Sequence, residues 1–136
     1  MFLSRLFGTK SEREMKKLAP TIKKINQYYE TLSSKSDEDL VEKTQKLKEF
    51  VIKTREEKES SLSLSMDKKE RASEILKAEQ GALGLIMEEA FAMVKETSRR
   101  MCGSSWRVSG QEINWEMVPY DVQLFGAINW REQVIT

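Results

Sequence analysis

Large apolar residues recur along this chain at steps of three and four with charged residues between them, the pattern of amphipathic helices. Phe2, Leu3, Leu6 and Phe7 gather on one side of a short first helix that Gly8 ends, with Arg5 and Lys10 flanking it. Met15, Leu18, Ile22, Ile25, Tyr29 and Leu32 then form a heptad-like stripe, predicting a helix over about 11–31. Ser11 and Glu14 have capping-box spacing at its start, and Pro20 should kink it or divide it in two. A second capping box, Ser36-Asp37-Glu38-Asp39, opens a helix whose face is Leu40, Thr44, Leu47 and Val51. Its nearly all-charged end, 53–58, should reach into solvent, and Ser60 to Ser65 reads as a loop.

A fourth helix is expected over 67–80, with Gly81 and Gly84 weakening any continuation. The most apolar helix, about 85–101, carries Leu85, Ile86, Ala90, Phe91, Met93, Val94 and Met101. Gly103 suits its C-terminal stop, and Arg99 and Arg100 complement the dipole of its last turn. Beyond Gly103 the period changes. Trp106 and Val108 alternate with polar neighbours, and Ser109-Gly110 is a turn signal. Pro119 and Asp121 open a final helix bearing Val122, Leu124, Phe125, Ile128 and Trp130. Leu124, Phe125, Ile128 and Trp130 are expected to need a sheet that this chain does not supply, leaving apolar surface prone to association.

Composition narrows the chemistry. The 136 residues are 39% hydrophobic and 33% charged, richer in charge than a self-contained globule, which fits long amphipathic helices. Net charge is +1 overall, but residues 1–25 hold seven basic and two acidic side chains, while 101–136 lean acidic. That balance gives no reason to expect a nucleic-acid partner. With one cysteine, Cys102, and no histidine, disulfide frameworks, clustered Cys/His zinc sites and Ser-His or Cys-His catalysis are excluded within these residues. The methionines read as core filler, and no metal ligand set stands out. No apolar run approaches the roughly 20 residues that span a bilayer. The front wedge of Phe2, Leu3, Leu6 and Phe7 beside Arg5, Lys16 and Lys17 has the chemistry of an anchor on anionic lipid, or of a helix docked on a partner.

Four stretches carry a resemblance. Leu6-Phe7-Gly8, Glu14 to Pro20 and Ile25-Asn26 look like the opening of the SecA preprotein translocase family. Ser36 to Leu40 with Lys43-Thr44, and Glu89 to Glu96 with Arg99-Arg100, are similar to two of its helices. Trp115 to Gly126, centred on Asp121-Val122-Gln123, resembles its adenine-recognition motif. One amide can donate to one edge atom of adenine and accept from its neighbour, so Gln123 can tell adenine from guanine. Tyr120 or Met117 can pack on the base.

The resemblance implies a mainly α chain forming the N-terminal part of a RecA-like helicase-type motor domain. Residues 1–35 would be basic amphipathic helices, 36–103 a helical portion with a loop near 59–66, and 104–136 the adenine-recognition segment. In the family ATP and magnesium drive preproteins through the SecYEG channel from the cytoplasmic, inner face of the bacterial membrane, on anionic lipid. The family's glycine-rich phosphate loop would follow residue 136. No catalytic residue is therefore assigned, and nucleotide binding by these residues alone is expected to be weak or nil, without ATPase activity. Gln133 stands where the family has glycine and Glu88 where it has proline. A piece of the motor and a free-standing, non-enzymatic helical module that binds membrane or translocase partners both remain open.

Overall fold

The computed structural model describes residues 10–135, and side chains within 12–131. The expected front helix with Phe2, Leu3, Arg5, Leu6 and Phe7 lies outside the described residues. The described chain is mainly α. Helices α1 (Lys10–Leu32), α2 (Asp37–Ser61), α3 (Lys68–Leu85) and α4 (Met87–Met101) lead to strands β1 (Ser105–Val108) and β2 (Gln111–Asn114) and to helix α5 (Asp121–Ile135).

The stripe predicted for α1 is its buried face. Leu18, Ile25 and Leu32 are buried with Ile22 and Tyr29 packed beside them, whereas Met15 is exposed. Against α1 lie Ala92 and Met93 of α4 and Leu124 and Ile128 of α5, with Leu40 of α2 completing the core. Full burial of aliphatic side chains such as Ile25 and Ile128 stabilises the fold by about 1.5–3 kcal/mol each. This corrects the expectation for α5: Leu124, Phe125 and Ile128 find their cover on α1, and of the four only Trp130 stays exposed.

Pro20 does not divide α1, which is assigned helical throughout. Proline removes the bond to the carbonyl four residues earlier. Lys16 and Pro20 both lie on the exposed face, so water can serve that carbonyl. Ser11 lies within the helix, after Lys10, and is not its N-cap.

The second capping box is present. Ser36 Oγ accepts from Asp39 N at 3.1 Å, and Asp39 Oδ2 accepts from Ser36 N at 3.0 Å. Of the predicted α2 face, Leu40 is buried, Leu47 and Val51 are half-buried and Thr44 is exposed. The charged end of α2 runs on to Ser61, so the loop begins later than expected, and Asp67 caps α3 through Lys69 N and Glu70 N. Gly81 and Gly84 do not end α3. Each costs about 1 kcal/mol of helix propensity against alanine. Buried Ala82 ties that turn to the molecule, and a Cβ at Gly84 would stand in ordinary contact, 3.6 Å, with the Arg131 guanidinium.

Gly103, at φ +88°, stops α4 as expected. β1 and β2 then form an antiparallel hairpin with Trp106 opposite Ile113. Its two-residue turn, Ser109 and Gly110, has φ of +51° and +83°, the positive pair that a tight hairpin turn of the right twist needs. Both strands are exposed. The hairpin is held at its base, where Trp115 Nε1 donates to Ser98 O at 3.0 Å and the Trp106 and Trp115 rings stack 6.0 Å apart.

Candidate functional site: the start of helix α5

Pro119 and Tyr120 lead into α5 without a side chain of the Ser, Thr, Asp or Asn type at the N-cap position. Gln123 supplies the missing contact from inside the helix. Its Oε1 accepts from Tyr120 N at 2.8 Å, and its own N–H donates to Tyr120 O at 2.9 Å. Half of a capping box is thus built around Tyr120. The bond fixes the amide: one carbonyl lone pair is committed, while the second and the NH2 group remain able to meet a ligand edge. Tyr120 is 74% exposed and Met117 is 52% exposed, so both side chains are accessible to a planar partner. Of the three predicted adenine-contacting residues, the hydrogen bond brings Tyr120 and Gln123 together. Met117 stands exposed three positions before Tyr120.

A second layer lies behind this turn. Asn26 of α1 donates from Nδ2 to both oxygens of Asp121, at 3.1 and 3.2 Å. Lys95 of α4 donates to Asn26 Oδ1 at 2.7 Å and lies 3.6 Å from Asp121 Oδ1. Its ammonium also sits 4.9 Å from the centroid of the Tyr29 ring. Beside this group a cleft of about 610 Å³ opens between α1 and α5, lined by Met15, Ile22, Asn26, Asp121, Val122 and Phe125. Gln123 and Tyr120 are not among its lining residues. The sequence shows Asn26, Lys95 and Asp121 only as separate residues, and nothing in their spacing signals the contact.

The end of α4 carries the other polar cluster. Glu96 is fully buried and accepts from Arg99 Nε at 2.8 Å, Arg99 Nη2 at 2.6 Å and Arg100 Nε at 2.8 Å. The Arg99 hydrogen bonds hold its carboxyl below the usual carboxylate range, burial opposes them, and the Arg100 bond adds to the lowering. Arg100 also reaches Asp37 Oδ1 at 2.6 Å, Leu32 O at 3.0 Å and Lys35 O at 2.7 Å. These arginines do more than complement the α4 dipole: Arg100 binds the Leu32 carbonyl at the end of α1 and the Lys35 carbonyl just after it, and joins three helices.

Lys16 and Lys17, the described members of the predicted membrane or partner surface, lie exposed on α1. A more apolar cleft of about 460 Å³ lies between α2, α3 and α4, lined by Leu47, Val51, Leu83, Ile86, Met93 and Val94 among others. Among the described residues there is no group of three or more His, Cys, Asp or Glu side chains able to hold a metal ion. No described helix is long and apolar enough to cross a membrane.

Comparison with known proteins agrees with the motifs. The family model for the SecA DEAD-like domain matches residues 3–136. The protein translocase subunit SecA of Chloroherpeton thalassium is 38% identical over 93% of this chain and 14% of its own length. That of Prosthecochloris aestuarii is 36% identical over 92% of this chain, again 14% of its own length. SecA 1 of Chlorobium chlorochromatii is 37% identical over 91% of this chain and 14% of its own length. No solved structure matches. The chain therefore spans about one seventh of these relatives, at 14% of each. By the match along nearly its whole length, it belongs to the SecA DEAD-like domain family of helicase-type motor domains.

Proposed function

We propose that these residues form the adenine-recognising corner of an ATP-driven preprotein translocase motor. One observation carries the reading: the Gln123 carboxamide is fixed at the mouth of α5 by Tyr120 N, beside exposed Tyr120, with Met117 exposed three positions earlier in the chain. An amide so held presents an acceptor and a donor side by side, matching the N6 amino group and N7 of adenine. Guanine offers two acceptors there and would leave the Gln123 carbonyl unpaired. Tyr120 or Met117 would cover the base.

ATP and magnesium are the family's cofactors. The fit here is partial, since the donor set suits the base but these 136 residues contain no glycine-rich phosphate loop. The transition-state charge of phosphoryl transfer finds no stabilising groups among them, so these residues alone bind nucleotide weakly and do not hydrolyse it. The translocation channel SecYEG, the preprotein and the cytoplasmic face of the bacterial membrane belong to the same reading. Exposed Lys16 and Lys17 on a basic α1 support attraction to anionic lipid, with Phe2, Leu3, Arg5, Leu6 and Phe7 as the inserting wedge.

A chimera tests the assignment. Residues 3–136 would replace the matching stretch of the Chloroherpeton thalassium relative, and ATP and GTP turnover would be compared with and without Gln123→Ala. Preference for ATP that falls at least tenfold in the variant supports the reading, and an unchanged ATP-to-GTP ratio contradicts it. For the lipid surface, Lys16→Glu/Lys17→Glu should reduce co-sedimentation with anionic vesicles at low salt. Equal sedimentation of both chains would remove α1 from that role.

The alternative, a non-enzymatic helical module, draws on the apolar cleft between α2, α3 and α4, whose rim includes exposed Ile52 and Val94. Selective ATP use by the chimera favours the motor reading over it.

A further inference from the structure

The first turn of α5 carries Gln123, yet its capping is thin. Tyr120 brings no side-chain acceptor of the usual capping kind to the first amides, and the cap rests on the Gln123 amide alone. Burial of Leu124 holds one side of this turn, and the polar relay Lys95–Asn26–Asp121 ties its other side to α1 and α4. The order of charges in that relay fixes its geometry. An ammonium can only donate, and an ionised carboxylate can only accept. An asparagine between them therefore has one satisfactory orientation, with Oδ1 on Lys95 and Nδ2 on Asp121. The distances agree, at 2.7 Å on one side and 3.1 and 3.2 Å on the other. A flipped amide would set NH2 against ammonium and carbonyl against carboxylate. Lys95 itself is held, with its side chain only 14% exposed and its ammonium close to the Tyr29 ring.

We infer that Asn26 and Lys95 are positioning residues for the adenine-recognising amide, acting through Asp121 to hold the first turn of α5. Lys95 sets the orientation of Asn26, Asn26 grips both oxygens of Asp121, and Asp121 is two residues from Gln123 on the same turn. The relay also makes α1, the basic helix, part of the support of the site. This rests on the reading that Gln123 recognises adenine, but the positioning itself can be measured without a nucleotide.

The experiment is amide hydrogen exchange by NMR on the full chain and on Lys95→Met, Asn26→Asp and Asp121→Ala, with Lys95→Arg as the conservative variant. Asn26→Asp keeps a partner for Lys95 but opposes a carboxylate to Asp121. Asp121→Ala alters a side chain that is 58% exposed, so it does not threaten the core. The Gln123 and Leu124 amides, which both donate to Tyr120 O, should exchange about tenfold faster in the three disruptive variants. Asp39, in the separate α2 cap, should be unchanged, and Lys95→Arg should restore protection. Unchanged exchange at Gln123 and Leu124 overturns the inference, as does an equal rise at Asp39, which would mean general destabilisation. Titration of the unaltered chain with AMP separates the two claims: absence of a shift at the Gln123 side-chain amide refutes the adenine reading, while the exchange data still decide the positioning.

Discussion

Replacing Glu96 with glutamine removes one charge from a fully buried polar group without changing its volume. In the native chain the carboxylate takes three charge-assisted hydrogen bonds from Arg99 and Arg100, at 2.6 to 2.8 Å. Glutamine keeps one acceptor and turns an NH2 group toward guanidinium donors. Removing one partner of a fully buried pair costs about 3–5 kcal/mol. The Arg99 side chain is 45% exposed and that of Arg100 is 21% exposed, so both can recover water. The expected loss for the Glu96 substitution is accordingly about 2 kcal/mol. For a chain of this size that lowers Tm by about 6–10 °C.

Thermal melts followed by circular dichroism across a pH series give the sharper reading. The folded-state pKa of Glu96 lies below its unfolded value, so its contribution is complete above about pH 4.3 and fades as pH falls through the folded-state value. The gap between wild type and Glu96→Gln should hold from neutral pH down to about pH 5 and close in stronger acid. Equal Tm values at neutral pH would refute a stabilising role for the Glu96 carboxylate under Arg99 and Arg100. A gap undiminished in acid would refute the electrostatic origin of its effect.

Three further outcomes follow from the same geometry. Ser36→Ala should lower the urea-unfolding free energy by about 1 kcal/mol, because Asp39 N loses its capping acceptor. Gly110→Val forces a β-branched residue into φ +83°, and should weaken the near-ultraviolet signal of the stacked Trp106–Trp115 pair while sparing the far-ultraviolet helix signal. Gln123→Glu should leave Tm within about 1 °C, since a carboxylate accepts the same Tyr120 N–H and suits a helix N-terminus. It would nonetheless lose the donor that adenine N7 requires, separating stability from recognition in one variant.

Period and caps made most of the helical frame readable from sequence. Leu18, Ile25 and Leu32 announced the buried face of α1, Ser36 with Asp39 the start of α2, and Gly103 the end of α4. Local propensity misled at single residues. Pro20 is carried on an exposed helix face, where water can serve the freed carbonyl, and Gly81 and Gly84 are carried within α3 around buried Ala82. The Trp106–Ile113 pairing was hinted at only by alternation and a Ser-Gly turn, too short a pattern to fix strands. The site was half visible. Gln123 and Tyr120 stand three residues apart, so motif and local bond share one turn. Asn26 and Asp121 are 95 positions apart, and only folding brings them within 3.1 Å. Glu96 looked like one more charge on a charged helix until the packing of α4 buried it.

The central claim is that the start of α5 distinguishes adenine from guanine through Gln123. Titration of the 15N-labelled chain with millimolar AMP and GMP, read at the Gln123 side-chain amide and the Tyr120 backbone amide, tests it most directly. AMP should shift both resonances in a weak, saturable manner, and GMP should leave them in place. Equal shifts with both nucleotides, or none with AMP, would contradict it.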